Sequence, residues 1–217
     1  MIKAIVFDMD GVLFDTEKVG VQAWNLVGDK LGIDDVDYLI SNCRGLNEED
    51  TKRFINEKYN GKFSGEECLK LLHKNHSAII KESGVPLKKG VYELLSYLKD
   101  NKYTIALASS TRKEIVINYL KEVDILKYFD AIVTGDMIEK GKPEPDIYLR
   151  ACKEINKDPK DCIAIEDSFN GIKSAYRAGM NVIMVPDMVE ATEEIEKLLY
   201  KKFESLLEVK EFLISLN

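Results

Sequence analysis

Five short runs of continuous apolar, largely β-branched residues, at 3–7, 103–108, 131–134, 162–165 and 182–185, constrain this chain more than any other feature. Each ends in a polar cluster, and none alternates as a half-exposed strand would, so they read as strands buried on both faces. Helical patterns fill the intervals: 91–99 before the second run, 113–122 after it, then 145–155, and 171–178 with Gly179 placed as a C′ residue. Strands alternating with helices predict an α/β chain with a doubly wound parallel sheet. Ser205, Leu206, Leu207 and Glu208 open the last helix as a capping box.

The first two runs lie about ninety residues apart, too far for an ordinary crossover. From Thr16 to about Ser83 the periodicity is helical throughout (Val19, Ala23, Trp24, Val27 and Leu31; later Cys68, Leu71, Leu72 and Ile79). This predicts a helical-bundle cap domain at 16–83, inserted into a core of 1–15 and 84–217. Both connections, near Asp15–Thr16 and Gly84-Val85-Pro86, would leave the core at the end of the first strand.

Composition narrows the class. The chain has 217 residues, 45% of them apolar and 32% charged, enough for a sizeable core with a solvated surface. Its 31 basic and 38 acidic side chains leave a net charge of −7, and the lysines come in isolated pairs such as Lys88–Lys89 and Lys201–Lys202, not as a nucleic-acid patch. The apolar runs fall far short of the roughly 18 residues a membrane span needs. The first residues lack the plan of a signal peptide, so a cytoplasmic protein is expected. Cys43, Cys68, Cys152 and Cys162 lack metal spacing and read as reduced core thiols; His73 and His76 read as surface or packing residues.

Sheets of this kind bind ligands at the carboxyl ends of their strands. The first run ends in Asp8, Met9, Asp10 and Gly11. On an extended backbone the two carboxylates project to one side, which suits a metal-bound nucleophile, Asp8, beside a general acid/base, Asp10. Taken alone the tetrapeptide suits a turn equally well. An EF-hand would need a closing Glu where Val19 stands. The second run leads through Ser109, Ser110 and Thr111 into a helix; this can be an oxyanion or phosphate seat, or a plain helix cap. After the third run, Pro143 and Pro145 restrict the backbone beside Lys142, placing a point charge where it could neutralise a phosphoryl group and the attacking carboxylate. The fourth run ends in Glu166, Asp167 and Ser168, either helix caps or the carboxylates of a Mg²⁺ cage. Four strand ends thus offer nucleophile, hydroxyl seat, cation and metal ligands in chain order.

As a set, Asp8 to Glu17, Ser109, Lys142 to Asp146 and Glu166-Asp167 resemble the four motifs of the haloacid dehalogenase (HAD) superfamily, in the branch with a helical cap after the first motif. That branch includes β-phosphoglucomutases and many small-molecule phosphatases. The resemblance spans residues 1 to about 186 and implies a Rossmann-like core closed by the cap. It also implies Mg²⁺ held by the Asp8 carboxylate, the Asp10 main-chain carbonyl and Asp167, with Glu166 as ligand or outer support. In the implied reaction Asp8 attacks phosphorus, Lys142, Ser109 and the Ser110 N–H bind the phosphoryl oxygens, and Asp10 protonates the leaving group. The aspartyl phosphate then passes to water, or to a second hydroxyl in a mutase.

Here the chain departs from the mutase pattern. Gly20 stands where those enzymes carry a cap-hinge His, and Glu48 where they carry an Arg for the distal phosphate. Arg44, Gly45 and Lys74 complete the candidate cap residues, and Lys74-Asn75 resembles a mutase-like pair. The expected function is a Mg²⁺-dependent phosphatase of small phosphorylated metabolites, plausibly sugar phosphates, with a β-phosphoglucomutase-type activity as the alternative. A receiver-like phospho-aspartate signalling module is the alternative of another class; the Asp8/Asp10 spacing and the large insert fit it badly. The expected partner is a small phosphorylated molecule, without nucleic acid or membrane, and the expected state is a monomer or weak dimer.

Overall fold

A computed structural model describes residues 2–43 and 48–216. The chain divides into two compact units, Thr16–Val85 and the flanking Met1–Asp15 with Pro86–Asn217. The larger unit holds a six-stranded, wholly parallel sheet of β1 (Ala4–Phe7), β2 (Thr104–Ser109), β3 (Ala131–Thr134), β4 (Cys162–Glu166), β5 (Asn181–Met184) and β6 (Lys201–Lys202). The order β3-β2-β1-β4-β5-β6 puts β1 between β2 and β4, with Phe7 level with Leu107 and Ile165. The connections that follow β1 and β4 run in opposite directions across the sheet. The crevice this opens lies at the carboxyl end of β1, where Asp8 follows.

In the smaller unit, α1 (Thr16–Leu31), α2 (Val36–Cys43), α3 (Glu48–Tyr59) and α4 (Gly65–Ser83) enclose a core of their own around Trp24, Val27, Leu39, Ile55 and Cys68. Ser64 caps α4 by accepting the Glu67 N–H at 3.0 Å. Asn75 on α4 donates to the Ala23 carbonyl on α1 at 3.3 Å, tying the two longest helices at mid-length. Among the described residues this unit contains no strand.

The larger unit's helices are α5 (Val91–Asp100), α6 (Lys113–Glu122), α7 (Asp146–Glu154), α8 (Phe169–Arg177), the single-turn α9 (Glu193–Glu196) and α10 (Leu206–Ser215). Side chains alternate across a strand. Ala4, Val6, Ala106, Ala108, Ala164 and Val182 therefore share one cluster with Ile147, Tyr148 and Ala151 of α7 and Ile172 and Ala175 of α8. The alanines make room for the Tyr148 ring, which is fully buried. Ile5, Phe7, Ile105 and Leu107 occupy the opposite face, equally buried, on the side of α5 and α6.

Helix ends follow the local sequence. Ser168 caps α8 by accepting the Gly171 N–H at 3.1 Å, and Gly179, with φ +83°, is the left-handed residue just past its end. At α10, Ser205 accepts the Glu208 N–H, but Glu208 returns its carboxylate to the N–H of Glu204, one residue before the cap. The sixth strand lacks the apolar signature of the other five, because its two lysines are exposed at the sheet edge, where charge blunts pairing with another chain. No helix among the described residues is long and apolar enough to cross a membrane.

Two segments of the larger unit pair at the point where the insert departs and returns. Asp15 N–H donates to the Pro86 carbonyl and Lys88 N–H to the Leu13 carbonyl, both at 2.9 Å, with Phe14 opposite Leu87 in an antiparallel bridge. Lys88 also reaches Asp187 beyond β5 at 2.6 Å.

Candidate active site

The carboxyl ends of β1, β2 and β4 and the segment after β3 bring Asp8, Ser109, Lys142, Glu166 and Asp167 into one region of the larger unit. Beyond Asp8 the chain departs from the extended course expected of it. It bends at Met9, whose carbonyl accepts the N–H groups of both Leu13 and Phe14, and Gly11 takes φ +81°. A side chain at Gly11 is barred twice, by that backbone conformation and by space, since a Cβ would lie 2.2 Å from Asp167 Oδ2. The first strand-end loop therefore lies directly against the Asp167 carboxylate.

Lys142 is the hub. Its ammonium donates to Asp8 Oδ1 at 2.5 Å, Glu166 Oε1 at 2.6 Å and the Ala108 carbonyl at 3.2 Å, and it lies 5.1 Å from the Tyr148 ring centroid. An ammonium has three donors, so all three are committed to fixed acceptors at the ends of β1, β2 and β4. Burial alone would lower its proton affinity, but the carboxylates of Asp8 and Glu166 outweigh burial and hold Lys142 charged, above the ordinary lysine range.

Glu166 is engaged on both oxygens. Oε1 accepts from Lys142 and from the Tyr148 hydroxyl at 2.8 Å; Oε2 accepts from the Asp167 N–H, the Ser168 N–H and the Ser168 hydroxyl at 3.0 to 3.1 Å. Five donors occupy it, which suits a carboxylate that orients Lys142 better than one turned toward a ligand. Gly171 makes this possible: a Cβ there would stand 1.7 Å from Glu166 Oε1. Gly171→Ala is expected to destabilise the protein by about 1–3 kcal/mol, the usual cost of overpacking a filled site. Chemical denaturation of the two proteins checks this, and an unchanged midpoint would show that Glu166 has room to move.

Asp8, Glu166 and Asp167 each place an oxygen within 4.8 Å of the others, all three residues buried. Against these carboxylates stands the single charge of Lys142. Burial, opposed by Lys142 and reinforced by the charges of Glu166 and Asp10, pushes the Asp8 carboxyl up to about 8. Three buried carboxylates against one ammonium leave the site short of positive charge, a shortfall that a divalent cation would meet. Hard oxygen donors suit Mg²⁺.

The hydroxyl seat differs in detail from a plain helix cap. Ser109 is the buried last residue of β2, and its Oγ accepts the Thr111 N–H at 3.1 Å. The first N–H of α6 goes instead to Asp136 Oδ1 at 3.1 Å, a cap from the turn after β3 that no local pattern reveals. Gly135 lets that turn close up, because a Cβ there would meet the Ser110 carbonyl at 2.2 Å. Thr111 sends its hydroxyl to Asp10 Oδ2 at 2.8 Å.

In the smaller unit, Glu48 opens α3 and lies 3.6 Å from His73 Nε2 on α4, while Lys74 is exposed on the same helix. Arg44 and Gly45 lie outside the described residues. Sequence reasoning missed Tyr148 and Asp136, and it gave Thr111 no role apart from its neighbours. Tyr148 shows only as another apolar position of an amphipathic helix.

The family model described as haloacid dehalogenase-like hydrolase matches residues 5–185. The chain is 33% identical to a phosphorylated carbohydrates phosphatase of Thermotoga maritima, over 84% of each protein. It is also 33% identical to a β-phosphoglucomutase of Bacillus subtilis, over 85% of this chain and 83% of the relative. Among solved structures, a β-phosphoglucomutase from Clostridium difficile superposes with a TM-score of 0.80 at 28% identity, covering 99% of this chain and 96% of that one. With its strand order, its four strand-end motifs and these relatives in agreement, the chain belongs to the haloacid dehalogenase-like hydrolases.

Proposed function

We propose that this enzyme is a Mg²⁺-dependent phosphatase of small phosphorylated metabolites, sugar phosphates foremost, acting through an aspartyl phosphate on Asp8. The observation that carries the reading is the placement of Asp8, at a buried strand end 2.5 Å from the ammonium of Lys142 and beside the Asp167 carboxylate. The name of the Thermotoga relative, a phosphatase of phosphorylated carbohydrates, supports the substrate class.

Asp8 and Asp167, with the main-chain carbonyl of Asp10, would hold the ion, and Glu166 would support them from behind. When bound, Mg²⁺ offsets charge on the phosphoryl oxygens and keeps Asp8 ionised. Asp8 attacks phosphorus in line, forming the acyl phosphate as the ester P–O bond breaks. Lys142 shares its charge between Asp8 and the incoming oxygens, which also accept from the Ser109 hydroxyl and the Ser110 N–H. Asp10 gives a proton to the departing oxygen. It then takes one from the water that attacks the acyl phosphate, releasing phosphate and restoring Asp8. The helical unit, residues 16–83, serves as the cap that selects the substrate, with Arg44, Gly45, Glu48 and Lys74 as its candidate contacts.

A mutase reading has support from the Bacillus relative. A mutase must keep water from its acyl phosphate and grip a distal phosphate, whereas Gly20 and Glu48 supply neither a hinge imidazole nor a cation. Incubation with β-glucose 1-phosphate and a trace of the 1,6-bisphosphate is expected to release phosphate faster than glucose 6-phosphate appears. Glucose 6-phosphate forming about tenfold faster than phosphate would make the mutase reading correct, since it means transfer outruns hydrolysis.

A further inference from the structure

Thr111 is fastened on every side. Its N–H donates to Ser109 Oγ at 3.1 Å, and its carbonyl accepts the Gly135 N–H at 3.3 Å. The neighbouring Ser110 carbonyl is packed against Gly135 closely enough to exclude even a methyl group, so the segment cannot slide toward the turn after β3. A β-branched side chain on such a backbone has little freedom at χ1. Its hydroxyl is spent on one acceptor, Asp10 Oδ2, 101 residues away in sequence and 2.8 Å away in space. Asp10 itself follows a bend at Met9, pairs with Phe14 in an isolated bridge and precedes a glycine in the left-handed region.

We propose that Thr111 is a positioning residue for Asp10, one that sets the direction in which this carboxyl exchanges protons. The proposal rests on the acid/base reading of Asp10 above. With Oδ2 accepting from Thr111, the carboxyl plane is fixed, and the proton handed to the leaving oxygen travels on Oδ1. In the first step the Asp8–phosphorus bond forms, the ester P–O bond breaks, and that oxygen takes the proton from Asp10. If the carboxyl of Asp10 is turned away from the departing oxygen, that group leaves without its proton, which matters little for a stable anion and greatly for a basic one.

The test compares p-nitrophenyl phosphate, whose leaving group needs little protonation, with phenyl phosphate, whose leaving group needs more. The quantity read is the ratio of kcat/KM for the first substrate to that for the second, which reports the phosphorylation step and not the later attack of water. General acid catalysis contributes about 10²–10⁴-fold, and loss of orientation alone forfeits part of it. Thr111→Val is expected to raise the ratio about tenfold, and Thr111→Ser, which keeps the hydroxyl, to return it to the wild-type value. Thr111→Ala gives the same comparison if Val folds poorly. A Val or Ala variant that slows both substrates equally, or neither, would overturn the proposal, because a merely structural role does not distinguish leaving groups. Asp10→Asn separates the two levels, read from the first stoichiometric release of the phenol. If it too leaves the ratio unchanged, the acid role of Asp10 is wrong; if it raises the ratio and Thr111→Val does not, only the assignment of Thr111 falls.

Discussion

Asp8→Asn is expected to lose phosphatase activity by more than the roughly hundred- to thousandfold typical of removing one oxyanion donor. The amide keeps the shape of the carboxylate but is no nucleophile, and it removes one of the carboxylates that would hold the ion. The fold should survive, because Lys142 keeps its bonds to Glu166 and to the Ala108 carbonyl and therefore remains a partnered buried charge. Phosphate release with a sugar phosphate measures the first expectation, and circular dichroism with a thermal melt measures the second. An Asn variant retaining more than about a tenth of the wild-type rate would rule out Asp8 as the nucleophile.

Removal of divalent metal by exhaustive chelation is expected to stop turnover, Mg²⁺ to restore it, and Ca²⁺ to inhibit. Attack requires one oxygen of Asp8 to stay available while the other binds the ion. Ca²⁺, with its longer bonds and tolerance of bidentate carboxylates, would engage both. The buried carboxylates of Asp8, Glu166 and Asp167 share one lysine, so added Mg²⁺ should also raise the melting temperature, by mass action on the folded state. Full activity after chelation, or a melting temperature indifferent to Mg²⁺, would argue against a metal among these carboxylates.

Much of the core was legible because its strands are buried on both faces and must be written in continuous apolar residues. β6 escaped for the converse reason: an edge strand of two exposed lysines is specified by its neighbour, not by its own composition. At the site, Lys142 stood out because prolines flank it, and the acidic pairs because they close apolar runs. The division of labour among the acids was not legible. Nothing local reveals that Glu166, besides three donors in the turn that follows it, also accepts from Lys142 and Tyr148, which lie in other segments. The link from Thr111 to Asp10 spans two strand ends and exists only once β1 and β2 are adjacent. The glycines at 11, 135 and 171 are similar cases: each is explained by the atom that a methyl group would strike, and that atom belongs to another segment.

The pairing of Leu13–Asp15 with Pro86–Lys88 bears on how such a protein can change over time. The chain leaves the sheet and returns to it at neighbouring positions on one short ribbon, so the core sees whatever lies between as a closed loop with fixed ends. Closure entropy grows only with the logarithm of loop length, and doubling the intervening segment would cost about 0.6 kcal/mol. If the inserted unit selects the substrate, as proposed, exchanging the segment at this socket would change substrate preference without a change at Asp8, Lys142, Glu166 or Asp167.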